Sequence, residues 1–264
     1  MLKDAFQEAA MAFVLTPADT SLPDLNAEQE RNIHAIAAAL RDSGVRKVVA
    51  LSSWGAEMPD RMGGIIACRW LEHALDAVPG LDVVHLRPVW FMENFLWNIG
   101  LKSAGINGLA IEPDLAFPMV AASDIATVAG YYLTDLTFSG RTVQYLNGPR
   151  EYSMTDVTRI LGASIGKPEL RYMRFPAAIM RRGLISNGGL SPNAADLLIE
   201  TSHGINTRRV TAEPRSPHNT TPTTLEEFAE QVFAPRYLAA PEPPLRERLG
   251  GTLLRSYLSL SGRR

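Results

Sequence analysis

Three short apolar runs constrain this chain more than any other feature: "MAFVLTP" (residues 11–17), "RKVVALSS" (46–53) and "LDVVHLRP" (81–88). Each is rich in Val and Leu, too brief for a core helix, and stopped by Thr, Ser or Pro, as expected of strands buried on both faces. Between the first two lies "DLNAEQERNIHAIAAALRDSGV", where Leu25, Ile33, Ile36, Ala37 and Leu40 recur at helical spacing, with acids early and Gly44 just past the end. Residues 65–78 read as a second helix between the second and third runs. Strand, helix, strand, helix, strand specifies an α/β fold around a parallel sheet with right-handed crossovers.

After "RPVWFMENFLWNIG" the regularity fades. "AGINGLAIEPDLAFPM" reads as a loop with one or two short strands. "AASDIATVAGYYLTDL" reads as a helix with Ser123 or Asp124 as its N-cap, and "GRTVQYLNGP" as a further strand. "SMTDVTRILGASIGKP" is expected to be a helix capped by Ser153 and ended near Gly166, and residues 171–203 a strand and two helices. "TTLEEFAEQVFAP" reads as a last amphipathic helix with Thr223 or Thr224 as cap and Glu226 or Glu227 completing the capping box. From Leu238 the chain changes character, with a Pro-rich linker "AAPEPP" and then "LRERLGGTLLRSYLSLSGRR", five arginines against one glutamate. Gly250 and Gly251 are expected to interrupt a helix there. Such a basic amphipathic segment suits a frayed tail, a helix packed on its own body, or contact with an anionic membrane or a partner. The expected organisation is 1–130 for the sheet domain, 131–237 for a smaller mixed α/β C-terminal region and 238–264 for linker and tail.

Composition removes several function classes. The chain has 264 residues, 46% of them hydrophobic, enough for a real core. Its formal net charge of -2 offers no overall field for nucleic acid. The single cysteine, Cys68, excludes an internal disulfide framework and any multi-thiolate metal site. No two histidines show ligand spacing, so no metal is expected. Neither a signal-length apolar run at the start nor a transmembrane-length window occurs, and a reducing cytoplasm is the expected compartment.

In an open parallel sheet, ligands sit beyond the carboxyl ends of the strands. Three such ends are available: Thr16 and Pro17; Ser52, Ser53 and Trp54; and Arg87, Pro88 and Val89 with the "WFMEN" that follows. Small hydroxyls and a strand-terminal proline let backbone and a flat ring approach closely. Trp54, Trp90, Phe91 and Trp97 are either aromatic core or a stacking surface for a flat substrate. Glu93 and Asn94 either bond a ligand or tie two regions of the chain together. Cys68 reads as a buried small hydrophobe, and His85 as a residue turned to one face of its strand.

The segments "LKDAFQEAAMAFVLTP", "SGVRKVVALSSWGAE" and "LRPVWFMENF" resemble the NmrA-like branch of the atypical short-chain dehydrogenase/reductases. "AASDIATVAGYYL", "GRTVQYLNGPREYSMTDVTRIL" and "PTTLEEFAEQVFAPRY" are similar to that family too, so the resemblance runs in order from Leu2 to Tyr237. It implies a Rossmann-like domain that binds NADP(H) or NAD(H), with a smaller C-terminal substrate-covering region. It also implies roles: Thr16 and Pro17 flank the dinucleotide, Ser52 and Ser53 bond the nicotinamide ribose or substrate, and Pro88, Val89 and Phe91 cover the nicotinamide. Trp54, Trp90 and Asn94 then face the substrate.

The chain departs from that family in two ways. The family opens on a strand, a G-x-x-G-x-x-G turn and a helix, whose backbone amides hold the pyrophosphate. No such segment stands here, so the chain is expected to begin inside the third crossover helix and to hold nucleotide weakly. It is either an N-terminally truncated gene product or one that has abandoned the cofactor, and an in-frame Gly-rich segment upstream of Met1 decides between them. Second, the family's Tyr and Lys dyad falls on Gly64 and Cys68. That pair protonates an alkoxide. A quinone needs it less, because hydride arrival gives a phenolate-like anion whose conjugate acid has a pKa of about 10.

The expectation is therefore an NAD(P)(H)-binding protein reducing a quinone or other conjugated carbonyl by hydride transfer without the dyad, its catalytic residues unassigned. The alternative is a non-catalytic redox-sensing or regulatory protein. In either case an apolar sheet edge is expected to be covered by a second copy or a protein partner.

Overall fold

The computed structural model describes residues 2–261 except Glu8, Arg61 and Leu136. In chain order the elements are α1 (Leu2–Phe6), β1 (Ala12–Val14), α2 (Leu25–Arg41), β2 (Lys47–Leu51), a 3-10 turn (Gly63–Ile65), α3 (Ile66–Asp76), β3 (Asp82–Pro88) and β4 (Trp90–Phe91). A 3-10 segment (Met92–Ala104) leads to β5 (Ile106–Leu109), β6 (Phe117–Val120), α4 (Ala122–Thr134), β7 (Arg141–Leu146), β8 (Glu151–Tyr152) and α5 (Met154–Ser164). Then come β9 (Arg171–Arg174), α6 (Ala177–Ser186), α7 (Pro192–Asn206), α8 (Leu225–Phe228), a π turn (Ala229–Phe233), α9 (Ala234–Ala239) and α10 (Leu245–Ser261).

These elements form two compact units. The first comprises Met1–Val89, Ser123–Leu146 and Arg181–Asn219, and the second Trp90–Ala122, Asn147–Met180 and Thr220–Arg264. The units are interleaved along the chain, which differs from the contiguous division expected at residues 130 and 237. The reason is that β7, far along the sequence, pairs with β3 and returns the chain to the first sheet.

The first unit is a Rossmann-like parallel sheet of order β1-β2-β3-β7. The central strands carry buried apolar side chains on both faces: Val48, Val49, Ala50, Val83, Val84 and Leu86 are all buried. Helices α2 and α3 pack their apolar stripes on one side, joining Ile33, Ile36, Ala37, Leu40, Ala67, Leu71 and Leu75 with Val14, Val48, Ala50 and Val83 in one core. Edge strand β1 leaves Phe13 about two-fifths exposed. Gly63 has φ +57°, and a β-carbon on it would run into the Leu197 carbonyl of α7, so only glycine fits this contact.

The second unit has a three-stranded sheet, β4-β6-β8, and a parallel pair, β5 with β9. Its helices start as local chemistry dictates. Ser153 and Asp156 form a capping box on α5, and Thr224 and Glu227 form one on α8. Helix α4 begins one residue before the expected cap, because the Glu93 carboxylate accepts the Ala122 N–H at 3.0 Å from both oxygens. Ser123 and Asp124 therefore lie inside its first turn.

The tail differs from expectation as well. Residues 245–261 form one continuous helix, α10, which packs on the 3-10 segment through Gly251, Leu254 and Leu258. A β-carbon on Gly251 would stand 2.5 Å from the Ser103 carbonyl oxygen. The glycine expected to break the helix is the point where it docks, since close packing repays the intrinsic penalty. The outer face carries exposed Leu245, Leu249, Leu253 and Tyr257 at one-turn intervals. No helix among the described residues is long and apolar enough to cross a membrane.

Candidate functional site

Because β1, β2 and β3 are parallel neighbours, their carboxyl ends share one edge of the sheet. Thr16 and Pro17 follow β1, Ser52 and Ser53 follow β2, and Pro88 ends β3 with Val89 next. The ladder continues past the strands, with Ser52 N–H donating to Leu86 O (2.8 Å) and Trp54 N–H to Pro88 O (3.0 Å). Thr16 and Ser53 are half-buried, Pro17 is exposed, and Pro88 and Val89 are buried. Trp54 is 4% exposed and offers no open ring face for stacking. Trp90, Phe91 and Asn94 belong to the second unit, where Trp90 meets Phe117 edge to face at 6.0 Å and Phe91 and Asn94 are half-buried. Glu93 accepts the Ala122 N–H within the second unit.

Beneath the edge lies a polar network that sequence reasoning missed. Arg87, on β3, donates from Nε to Glu72 Oε1 (2.8 Å) and from Nη2 to Oε2 (2.6 Å). Its Nη1 donates to the Tyr145 hydroxyl (2.8 Å) and to Glu57 Oε2 (3.0 Å). Ser52 donates its hydroxyl to Glu72 Oε1 at 2.5 Å, so its proton is used inside the protein. Burial alone would raise the Glu72 carboxyl, but the hydrogen bonds from Arg87 and Ser52 and the guanidinium charge outweigh it and hold the group low. The hydrogen bonds and charge of Glu72 hold Arg87 well above its ordinary value.

One turn along α3, Asp76 Oδ1 meets His85 Nε2 at 2.9 Å. His85 and Arg87 alternate onto one face of β3, while Glu72 and Asp76 stack at i, i+4 on α3. The helix runs opposite to the strand, so the outer acid meets the outer base and the inner acid the inner one. The signal was readable in principle as E-x-x-x-D on a crossover helix followed by H-x-R on the next strand.

At the two positions where the resemblance would place a Tyr and a Lys, Gly64 lies in the 3-10 turn, and Cys68 lies half-buried on α3. Burial, with the nearby Glu72 carboxylate, pushes the Cys68 thiol up to about 12, so it stays protonated.

The N-terminus of α2 returns to the same edge from β1. Asp24 caps it by accepting from Ala27 N–H (3.0 Å), and Asn193 Oδ1 accepts from Leu25 N–H (3.0 Å). Just inside stand Asn26 and Gln29. Their side-chain oxygens, Asn26 Oδ1 and Gln29 Oε1, are buried without a hydrogen-bond partner in the protein. Gln29 is 6% exposed and continues the stripe of Leu25 and Ile33, an amide where the helical pattern calls for an apolar side chain. Among the described residues, no group of three or more His, Cys, Asp and Glu is placed to hold a metal.

No family model matches the chain. It is 34% identical over 131 residues to festuclavine synthase I of Penicillium roqueforti, covering 47% of this chain and 42% of that protein. It is 28% identical over 201 residues to festuclavine dehydrogenase easG of Aspergillus fumigatus, covering 74% and 67%. A (4-alkanoyl-5-oxo-2,5-dihydrofuran-3-yl)methyl phosphate reductase of Streptomyces griseus is 28% identical over 195 residues, with the same coverage of 74% and 67%. The chain thus spans less than half the length of the first relative and about two thirds of the other two. Among solved structures it is similar to the NADPH-dependent quinone oxidoreductase QOR2 of Escherichia coli complexed with NADPH, with a TM-score of 0.71 at 20% identity, covering 88% of this chain and 79% of that one. It is also similar to the triphenylmethane reductase of Citrobacter sp., with a TM-score of 0.65 at 16% identity, covering 96% and 79%. At these identities the likeness is one of fold, and the fold is the Rossmann-like one that the strand order describes.

Proposed function

We propose that the chain is an NAD(P)H-dependent oxidoreductase of NmrA-like type, which delivers hydride to a quinone or another conjugated, electron-poor substrate. The observation that carries the reading is the shared carboxyl edge of β1, β2 and β3, with Thr16, Ser53 and Pro88 at adjacent strand ends. The relatives add support, because by name they are a synthase, a dehydrogenase and a reductase, and the fold neighbours include a quinone oxidoreductase and a triphenylmethane reductase.

The residues fit a dinucleotide in one respect that the structure makes testable. Buried amide oxygens without partners at the head of α2 suit a ligand that brings hydroxyls or a carboxamide. In this reading Thr16 and Pro17 flank the nicotinamide nucleoside, Ser53 hydrogen-bonds its ribose, and Pro88 and Val89 exclude water from one face. When bound, the cofactor supplies the hydride. Ser52 acts indirectly, tying the β2 turn to Glu72 and holding Ser53 in place. With glycine at position 64 and only a very weakly acidic thiol at position 68, no effective proton donor stands at the dyad positions, which suits products stable as phenolate-like anions.

Titration of the purified chain with NADPH, followed by nicotinamide fluorescence, tests the binding, and NADPH oxidation in the presence of a naphthoquinone tests the reaction. Saturable binding with quinone-dependent oxidation is expected. Unchanged fluorescence at millimolar NADPH would overturn the reading. Glycine and cysteine at positions 64 and 68, in place of a tyrosine and a lysine, favour a second reading, a redox sensor that binds without turnover, and saturable binding with no oxidation by any quinone would select it.

A further inference from the structure

We propose that Gln29 is a ligand contact, and that its side chain is kept at a cost to the stability of the free protein; the inference rests on the nucleotide reading above. Position 29 lies on the buried stripe of α2, one turn from Leu25 on one side and Ile33 on the other. Every other member of that stripe, Leu25, Ile33, Ile36, Ala37 and Leu40, is apolar and packed. A leucine or methionine would complete the pattern. Instead the chain places there a carboxamide that is 6% exposed, with Oε1 buried and no protein donor within reach. A buried amide oxygen without a donor is destabilising, and a polar group that breaks a local rule without compensation marks a functional position.

Its location identifies the ligand chemistry. Helix α2 runs back along the sheet from the β1 carboxyl end, so its first two turns lie at the edge that carries Thr16 and Ser53. Asn26, at i-3 from Gln29 on the neighbouring face, repeats the feature with an unpaired buried Oδ1. Two carboxamides side by side accept from, and on turning about their last bonds donate to, a group that is itself both donor and acceptor. A ribose hydroxyl pair and a primary carboxamide both have that character, and both belong to the nicotinamide half of the dinucleotide. Asp24 and Asn193 already take the Ala27 and Leu25 amides at the helix head, which leaves recognition to these side chains.

The proposal makes an unusual forecast: one substitution raises stability and lowers affinity. Gln29→Met keeps length and volume while removing the unpaired oxygen. The variant is expected to melt a few degrees higher than wild type, and to bind both NADPH and reduced nicotinamide mononucleotide about tenfold more weakly, as one lost hydrogen bond implies. Gln29→Glu serves as the control for packing, because it keeps the acceptor. It should lose the thermal gain and retain more of the mononucleotide affinity than Gln29→Met. Equal affinity of wild type and Gln29→Met for both probes would overturn the assignment, and so would a fall in melting temperature, which would make the amide a structural group. Wild type that binds neither probe would instead remove the nucleotide reading itself, and this inference with it.

Discussion

Glu72 and Arg87 form a two-point ion pair, Nε to Oε1 at 2.8 Å and Nη2 to Oε2 at 2.6 Å, between the crossover helix and the strand whose end it precedes. The pair is nearly excluded from water, with side-chain exposures of 8% and 11%. Removing one partner strands the other's charge. Glu72→Ala is expected to cost about 3–5 kcal/mol. Removing both charges together, in the Glu72→Leu, Arg87→Met double variant, should cost far less than the sum of the single changes. Denaturant midpoints of the wild type, both single variants and the double variant check this, and an additive result would show that the pair does not act as a unit.

The same pair sets an acid limit. A carboxyl held below its ordinary value in the folded chain contributes stability that is fully present above the unfolded value of about 4.3. That contribution is lost as pH falls through the folded value. The urea midpoint of the wild type should therefore drop more steeply below about pH 5 than that of Glu72→Gln, which has no proton to bind there. Parallel acid limbs would count against Glu72 as the group responsible.

Adjacent serines at the β2 end should separate cleanly. Ser52 donates to a buried carboxylate, so Ser52→Ala is expected to lose about 1.5–3 kcal/mol of stability. Ser53, whose side chain is half-buried at the edge, should behave in the opposite way, with Ser53→Ala folding normally and binding NADPH more weakly. Circular dichroism melts and cofactor titrations on the two variants distinguish the roles.

Cys68 should be chemically quiet. With its thiol pushed up to about 12, the thiolate fraction near neutral pH is orders of magnitude below that of a free cysteine of pKa about 8.5. A disulfide reagent added to the folded chain should react slowly, and fast reaction should appear only in denaturant. Rapid labelling of the native protein would contradict the burial described for α3.

Gly251 fixes α10 to the second unit. Gly251→Val places carbon atoms against the Ser103 carbonyl, so the helix should lift from the 3-10 segment and its residues become sensitive to protease. Gly250→Ala, where a β-carbon meets nothing within 4 Å, should have the opposite effect and strengthen the helix. Equal digestion rates for both variants would argue against docking through Gly251.

Much of this protein was legible in its sequence because the relevant information is local. The strands at Ala12–Val14, Lys47–Leu51 and Asp82–Pro88 announce themselves by short runs rich in Val and Leu. Ser153 and the Thr224–Glu227 box cap their helices using residues three positions away. Parallel order followed from short apolar runs alternating with segments of helical period, and it carried Thr16, Ser53 and Pro88 to one edge. What local pattern could not give were features whose partners are remote or missing. Glu93 starts α4 from 29 positions upstream. Gly251, read as a breaker, is a docking point because Ser103 lies opposite it.

The sequence by itself determined the layer architecture, since burying apolar runs of fixed period leaves few ways to stack strands and helices. Only the tertiary structure decided what the polar residues away from the helix caps do. Arg87 finds Glu72 because the crossover helix lies antiparallel to its strand, and Gln29 is left without a partner because the packing around it supplies no donor. Those outcomes depend on distances between elements, which periodicity along one chain does not encode.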